Sequence, residues 1–289
     1  CVCACVRACV SGSGCVGLHA PCACSDTTWF QRLKRTQVSS ALSFLGTFLD
    51  GRGQLTAKMR RLITLLLMSR RFLRAVFHEL CRRHDNSDDV VHALLQEAHA
   101  EGKLESVLDE AVYLEMSRTE SPQQLLRKES PTKLCIVQAA KQLSEGFCSD
   151  VVASMVNMLD GLDPTYLSSS PEQQEKFLSI VSEFLVRLPT LTMQLPPPFF
   201  RLCGMLAEAA RTRFPNEHMI DKTSMCAFFF LHFLCPTLAC PGKWGLVSAV
   251  TQQKSLLLAR FIQLMTNRTI DEGVDVDSSN FPWAADFIR

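Results

Sequence analysis

The 289 residues carry 30 basic and 29 acidic side chains, a formal net charge of +1. No global field therefore points to nucleic acid, and no acidic excess marks a solvating tail. A hydrophobic content of 47% is ample for a core and excludes a disordered chain, while the length admits one large domain or two small ones. Seven of the 14 cysteines crowd into the first 24 residues: Cys1, Cys3, Cys5, Cys9, Cys15, Cys22 and Cys24. Residues 1–37 are expected to form a Gly/Ser/Cys-rich, poorly ordered leader. Its C-x-C-x-C pattern lacks the C-x-x-C pairs of a zinc site, so no metal is expected. Nothing helical or basic surrounds it to favour palmitoylation, and it has no long apolar stretch of the signal-peptide kind.

Downstream, apolar residues recur at three- and four-residue steps and strand alternation is absent. The expected fold is all-α, an elongated helical bundle. Ser39 to Leu49 reads as a short helix closed by Asp50-Gly51. Ala57 to Arg83 reads as a long amphipathic one with Met59, Leu62, Ile63, Leu66, Phe72, Leu73, Val76, Phe77 and Leu80 on its inner stripe. Its interleaved arginines suit a solvated face, because no aromatic platform accompanies them. Helices are expected from Asn86-Ser87-Asp88 towards His99, over Leu104 to Leu114, and from Ser130 to Leu143, with a polar loop from Ser117 to Gln124 before the last. Val151 to Leu159 follows. Ser170-Pro171-Glu172-Gln173 predicts a helix start: Ser170 caps, Pro171 takes the first position, and Gln173 completes a capping box. Phe177, Ile180, Val181, Phe184, Leu185 and Leu188 then mark a core-facing stripe. Pro196-Pro197-Pro198 breaks the chain, and a helix runs from Phe199 to Ala210. Met219 to Leu234 is strongly apolar and is expected to be stopped by Pro236. Gln252 to Met265 is the last predicted helix. The longest apolar runs, Leu62 to Met68 and Met225 to Cys235, fall short of the ~20 residues that span a membrane.

Conventional catalytic sets are weak. The seven histidines are dispersed with no H-E-x-x-H among them. There is no G-x-x-x-x-G-K-[ST], and the one G-x-G-x-x-G, Gly12 to Gly17, falls in the leader with no strand pattern before it, so neither standard route to a nucleotide phosphate is expected; no nucleophile elbow is present.

Three blocks in order carry a more specific signal. Leu125 to Ser130 reads L-L-R-K-E-S after a loop. Phe228 to Val247 reads F-F-F-L-H-F-L-C-P-T-L-A-C-P-G-K-W-G-L-V. Leu258 to Asn267 reads L-A-R-F-I-Q-L-M-T-N. These resemble, in the same order, the finger loop L-F-R-G-N-S, the F-L-R-F signature block with its two prolines, and the I-A-K-V-I-Q-N-L-A-N helix of Ras GTPase-activating domains. Arg211 to Pro215, R-T-R-F-P, is similar to that family's K-F-P approach. The resemblance covers about residues 101–289, with 38–100 as a preceding helical subdomain. In its details, L-L-R-K, F-L-C-P and R-F-I-Q, it looks most like the endosomal proteins that join such a domain to a Rab-exchange domain.

The resemblance implies a protein that completes the active site of a GTP-bound Ras-family or Rab-family small GTPase. It has no cofactor of its own; GTP and Mg²⁺ belong to the partner. Arg127 falls on the catalytic arginine finger. Phosphoryl transfer spreads negative charge over the γ-phosphate, and an inserted guanidinium neutralises it with a rigid fork. His232 falls where the family has the arginine that braces the finger loop. Leu126, Lys133, Pro236, Lys243, Arg260, Gln263 and Asn267 are the candidate partner-facing residues. Two departures point to a second reading, GTPase binding without strong acceleration: a shorter, ordinarily neutral His232, and Lys128-Glu129 in place of the small-Asn step. A blander alternative makes Arg127 an ordinary exposed arginine, His232 a core histidine, and the chain a helical scaffold. Neither nucleic acid nor a transmembrane segment is implied. The expected location is cytoplasmic, with peripheral association at the plasma membrane or endosomes.

Overall fold

The computed structural model describes residues 67, 69–82, 87–244, 249–270 and 281–284. The leader, the helix expected over Ser39 to Leu49, most of Ala57 to Arg83 before Arg70, and the Gly245-Leu246-Val247 exit lie outside the described residues. Among those described there is no strand, and the fold is all-α. The chain separates into two compact units, Cys1–Val107 and Leu108–Arg289.

In the first unit, α1 (Arg70–Arg82) buries Leu73, Val76, Phe77 and Leu80 of the expected stripe, whereas Phe72 is only half-buried; Met59, Leu62, Ile63 and Leu66 lie outside the described residues. Arg82 Nη1 donates to the buried carboxylate of Glu79 at 2.9 Å, so that charge is paired within its own helix. Helix α2 (Ser87–Ala100) opens on Asp88 and Asp89, favourably placed at the positive end of the helix dipole.

Helix α3 (Leu104–Arg118) leads into the second unit, which continues through α4 (Pro131–Leu143), α5 (Glu145–Met158), α6 (Pro171–Thr192) and α7 (Pro197–Arg213). A 20-residue helix, Ile220–Ala239, comes next, built of α8 (Ile220–Cys226), a wider π-helical stretch over Ala227–Leu234, and α9 (Cys235–Ala239). Helix α10 (Ala249–Ile270) completes the set. The central helix packs against α4, α7 and α10. Phe233 is fully buried with ring centroids 4.9 Å from Phe199, 5.8 Å from Phe229 and 5.9 Å from Phe147. A second aromatic cluster joins Phe177 of α6 and Phe261 of α10 to Phe281 and Trp283. By length and a mean hydropathy of 1.2, Ile220–Ala239 is apolar enough to cross a bilayer, longer than the runs counted from the sequence. Its neighbours instead make it the core helix of the bundle.

Two expectations about local structure need correction. Pro236 does not stop the signature helix, which continues to Ala239. A proline ring clashes with the carbonyl four residues back and offers it no N–H. Here that carbonyl belongs to His232, and the stretch before the proline is widened: Cys235 N–H donates to the Phe230 carbonyl, five residues back, where an α-helix would use four. The second correction concerns Gln173. Ser170 caps α6 as expected, accepting from Gln173 N at 3.4 Å, with Pro171 in the first turn. The Gln173 side chain does not close the box. Its Oε1 accepts from Asp163 N at 3.1 Å, and Ser170 N bonds the Tyr166 carbonyl at 2.8 Å, so Gln173 ties the preceding loop to the helix.

All seven described cysteines are free thiols. Burial pushes Cys135, Cys203 and Cys235 up to about 12, which makes them inert core residues.

Candidate functional site

Between α3 and α4 the chain makes a loop whose two ends are held by the same residue. On the entry side, Thr119 Oγ1 donates to the Glu115 carbonyl at 3.0 Å, and Arg213 Nε of α7 donates to the Thr119 carbonyl at 3.2 Å. On the exit side, Ser130 caps α4 by accepting Lys133 N at 3.0 Å, with Pro131 in the first turn. Ser130 and Thr132 hydroxyls both donate to Glu115 Oε2, each at 2.5 Å.

The middle of the loop is pinned by apolar burial. Leu125 and Leu126 are both buried, and Leu126 adopts a left-handed φ of 56°. That conformation costs an L-residue roughly 1–2 kcal/mol, and burial of its side chain offsets the strain. The turn throws the following three side chains outward: Arg127, Lys128 and Glu129 are exposed. Lys128 lies 3.8 Å from Glu120, and Glu129 Oε1 accepts from Lys133 Nζ at 2.6 Å.

Arg127 and Glu129 stand at the rim of an open cleft of about 570 Å³. Helix α4 supplies Lys133, Val137 and Lys141 at four-residue spacing, with Leu134 beside them. The π-helical stretch and its proline supply Leu231, His232 and Pro236, and α10 supplies Gln263 and Asn267 one turn apart. Six of the residues picked from the sequence thus line one cleft: Arg127, Lys133, His232, Pro236, Gln263 and Asn267. The other three do not line it. Leu126 is buried beneath the loop, Arg260 is exposed one turn before Gln263, and Lys243 lies on the short turn Pro241–Trp244. Lys243 still acts on the cleft through its charge. Burial lowers the Lys141 pKa, and Lys243 is the largest charge pushing the same way.

Leu134, Val137, Lys141 and Leu231 were not singled out from the sequence. The Lys133/Val137/Lys141 spacing was the available signal for one helix face. Nothing local marked Glu115, whose partners lie across a loop.

His232 is half-buried in the cleft wall, and its Nε2 is buried with no hydrogen-bond partner. The bond to the Arg127 loop expected of a bracing side chain is therefore not made by that atom. Burial lowers its pKa from 6.5 to about 4; Lys133 pushes the same way, Glu129 opposes, and Arg127 adds to the lowering. The ring is neutral at pH 7 and adds no charge behind the loop. The remaining electrostatics are cationic, with Arg127, Lys133 and Lys141 against the single Glu129 among the lining residues. Such a cleft attracts an acidic surface or a phosphate-bearing ligand.

No family model matches the chain. Over 103 residues, 35% of its length, it is 29% identical to inhibitory regulator protein IRA2 of Saccharomyces cerevisiae, and it spans 3% of that relative.

Proposed function

We propose that residues 108–289 act on a GTP-loaded small GTPase of the Ras superfamily and accelerate its hydrolysis, with Arg127 supplied in trans as the finger. The similarity over 103 residues to the inhibitory regulator protein IRA2 supports a regulatory, GAP-like reading. The observation that carries the reading is the convergence of the loop, α4, the π-helical stretch and α10 on one cationic cleft with Arg127 at its rim. An exposed guanidinium on a backbone pinned by two buried leucines can enter another protein's site without refolding the loop. In this role Lys133 and Lys141 meet the acidic face of the partner, and Gln263 and Asn267 bond its backbone or switch residues. The L-L-R-K and F-L-C-P details favour the endosomal subgroup, so Rab as well as Ras proteins belong in the panel.

Multiple-turnover GTP hydrolysis by such a panel, with wild type, Arg127→Ala and Arg127→Lys, is the test. Loss of the finger lowers the stimulated rate by about 10³-fold or more. Lysine does not restore it, because the planar paired donors are gone. Equal stimulation by wild type and Arg127→Ala would remove Arg127 from the mechanism.

A second reading, binding without acceleration, is favoured by the neutral His232, whose buried Nε2 has no hydrogen-bond partner, and by Glu129 on Lys133. Tight binding of a GTP-analogue-loaded partner with no rate effect selects it.

A further inference from the structure

Glu115 does not line the cleft, yet it is a carboxylate only 5% exposed. Burying a carboxylate is costly unless hydrogen bonds replace the lost water. A helix start needs nothing so expensive: Ser130 alone caps α4 through Lys133 N. What Glu115 adds is closure. Its Oε2, carried on α3, holds Ser130 and Thr132 at the exit of the loop, with those two hydroxyls 2.9 Å apart; the Thr119 bond at the entry uses the backbone carbonyl, which any residue at this position supplies. Thr132 is fully buried, so this knot is shielded from competing water. The negative charge also sits at the N-terminal end of α4, where the helix dipole favours it. Between the two tied ends lie the left-handed Leu126 and then Arg127.

We propose that Glu115 is a positioning residue for the Arg127 loop. It fixes where the guanidinium stands and touches neither nucleotide nor partner. The kinetic part of this proposal rests on Arg127 acting as the finger; the structural part does not. A misplacement of about 1 Å at a reacting geometry can cost about 100-fold in rate, so Glu115 governs turnover and leaves affinity almost alone.

Two measurements on the full chain test this, with Glu115→Ala, Glu115→Gln and Thr132→Val. The first is tryptic cleavage after Arg127 and Lys128 under conditions where the variant is folded by circular dichroism. Glu115→Ala is expected to speed it by about tenfold or more, as the loop opens locally. Glu115→Gln, which keeps an acceptor for both hydroxyls, restores most of the protection, and Thr132→Val falls between. The second is GTPase stimulation. Glu115→Ala is expected to lower the maximal rate by about tenfold to 100-fold while half-stimulation shifts less than about threefold. Combined with Arg127→Ala it adds no further loss, because the two act as a unit. Unchanged cleavage in Glu115→Ala overturns the proposal, and so does a proportional fall in rate and affinity that Glu115→Gln fails to rescue. If wild type stimulates no GTPase, the finger reading fails by itself, and the cleavage comparison still decides the role of Glu115.

Discussion

Replacing His232 by glutamine should remove a pH dependence of stability that the wild type carries between pH 7 and pH 5. The unfolded imidazole takes up a proton below its ordinary value of 6.5, whereas the folded one does so only near 4. Between those values the unfolded state binds more protons, so acidification favours unfolding. At 1.36 kcal/mol per pH unit the full interval caps the effect at about 3.4 kcal/mol. Weighting by the fraction protonated gives a loss of about 2 kcal/mol from pH 7 to pH 5. The groups around the ring support the direction, since Lys133 and Arg127 oppose its charging and only Glu129 favours it. Urea unfolding of wild type and His232→Gln at half-unit steps measures the slope, and NMR titration of the ring reads its pKa directly. The two proteins need not be equally stable at pH 7; only the difference in slope matters. Parallel profiles, or a ring titrating near 6.5, would refute a buried, uncharged His232 and restore the possibility of a cationic brace.

Glu129→Gln removes the carboxylate that occupies Lys133 Nζ. Affinity for a GTP-analogue-loaded GTPase should rise by about threefold, more at low salt. Unchanged or weaker binding by fluorescence titration would show that Lys133 does not meet the partner. Phe233→Ala should cost about 3–5 kcal/mol, seen as a lower urea midpoint, because the ring is fully buried against Phe147, Phe199 and Phe229. A loss under about 1 kcal/mol would mean that this aromatic cluster is not the core.

The fold was readable because its signals are local. Ser170-Pro171 set the start of α6, and the Phe177 to Leu188 spacing set its buried face, with no reference to any distant residue. The cleft was readable in part for a different reason: Arg127, His232, Gln263 and Asn267 fall on motif positions of the family the chain resembles, whereas Val137 and Lys141, one and two turns on from Lys133, belong to no motif. What escaped depends on tertiary placement. Glu115 becomes notable only when Ser130 and Thr132 arrive beside it, and Gln173 chose the Asp163 backbone over its own helix end. Arg260 fell outside the cleft although it shares a helix face with Gln263, since a side chain's periodicity does not say where a groove ends. The helix through Pro236 was missed because a proline normally reads as a terminus, and the wide turn that accommodates it has no sequence mark.

That wide turn also sets the direction in which each side chain on the central helix points. Every ring closed over five residues holds one more than an α-helical ring, so the stretch Ala227–Leu234 stores surplus chain inside an otherwise regular rod. Releasing one residue of it would rotate everything on the N-terminal side by about 100° relative to Pro236. That rotation would carry the buried Phe229 and Phe233 rings and the cleft-lining His232 out of the positions they now hold relative to Pro236. The helix therefore carries a built-in phase shift, and the spacing between the phenylalanine run and Pro236 is a structural parameter as specific as any side chain in the block.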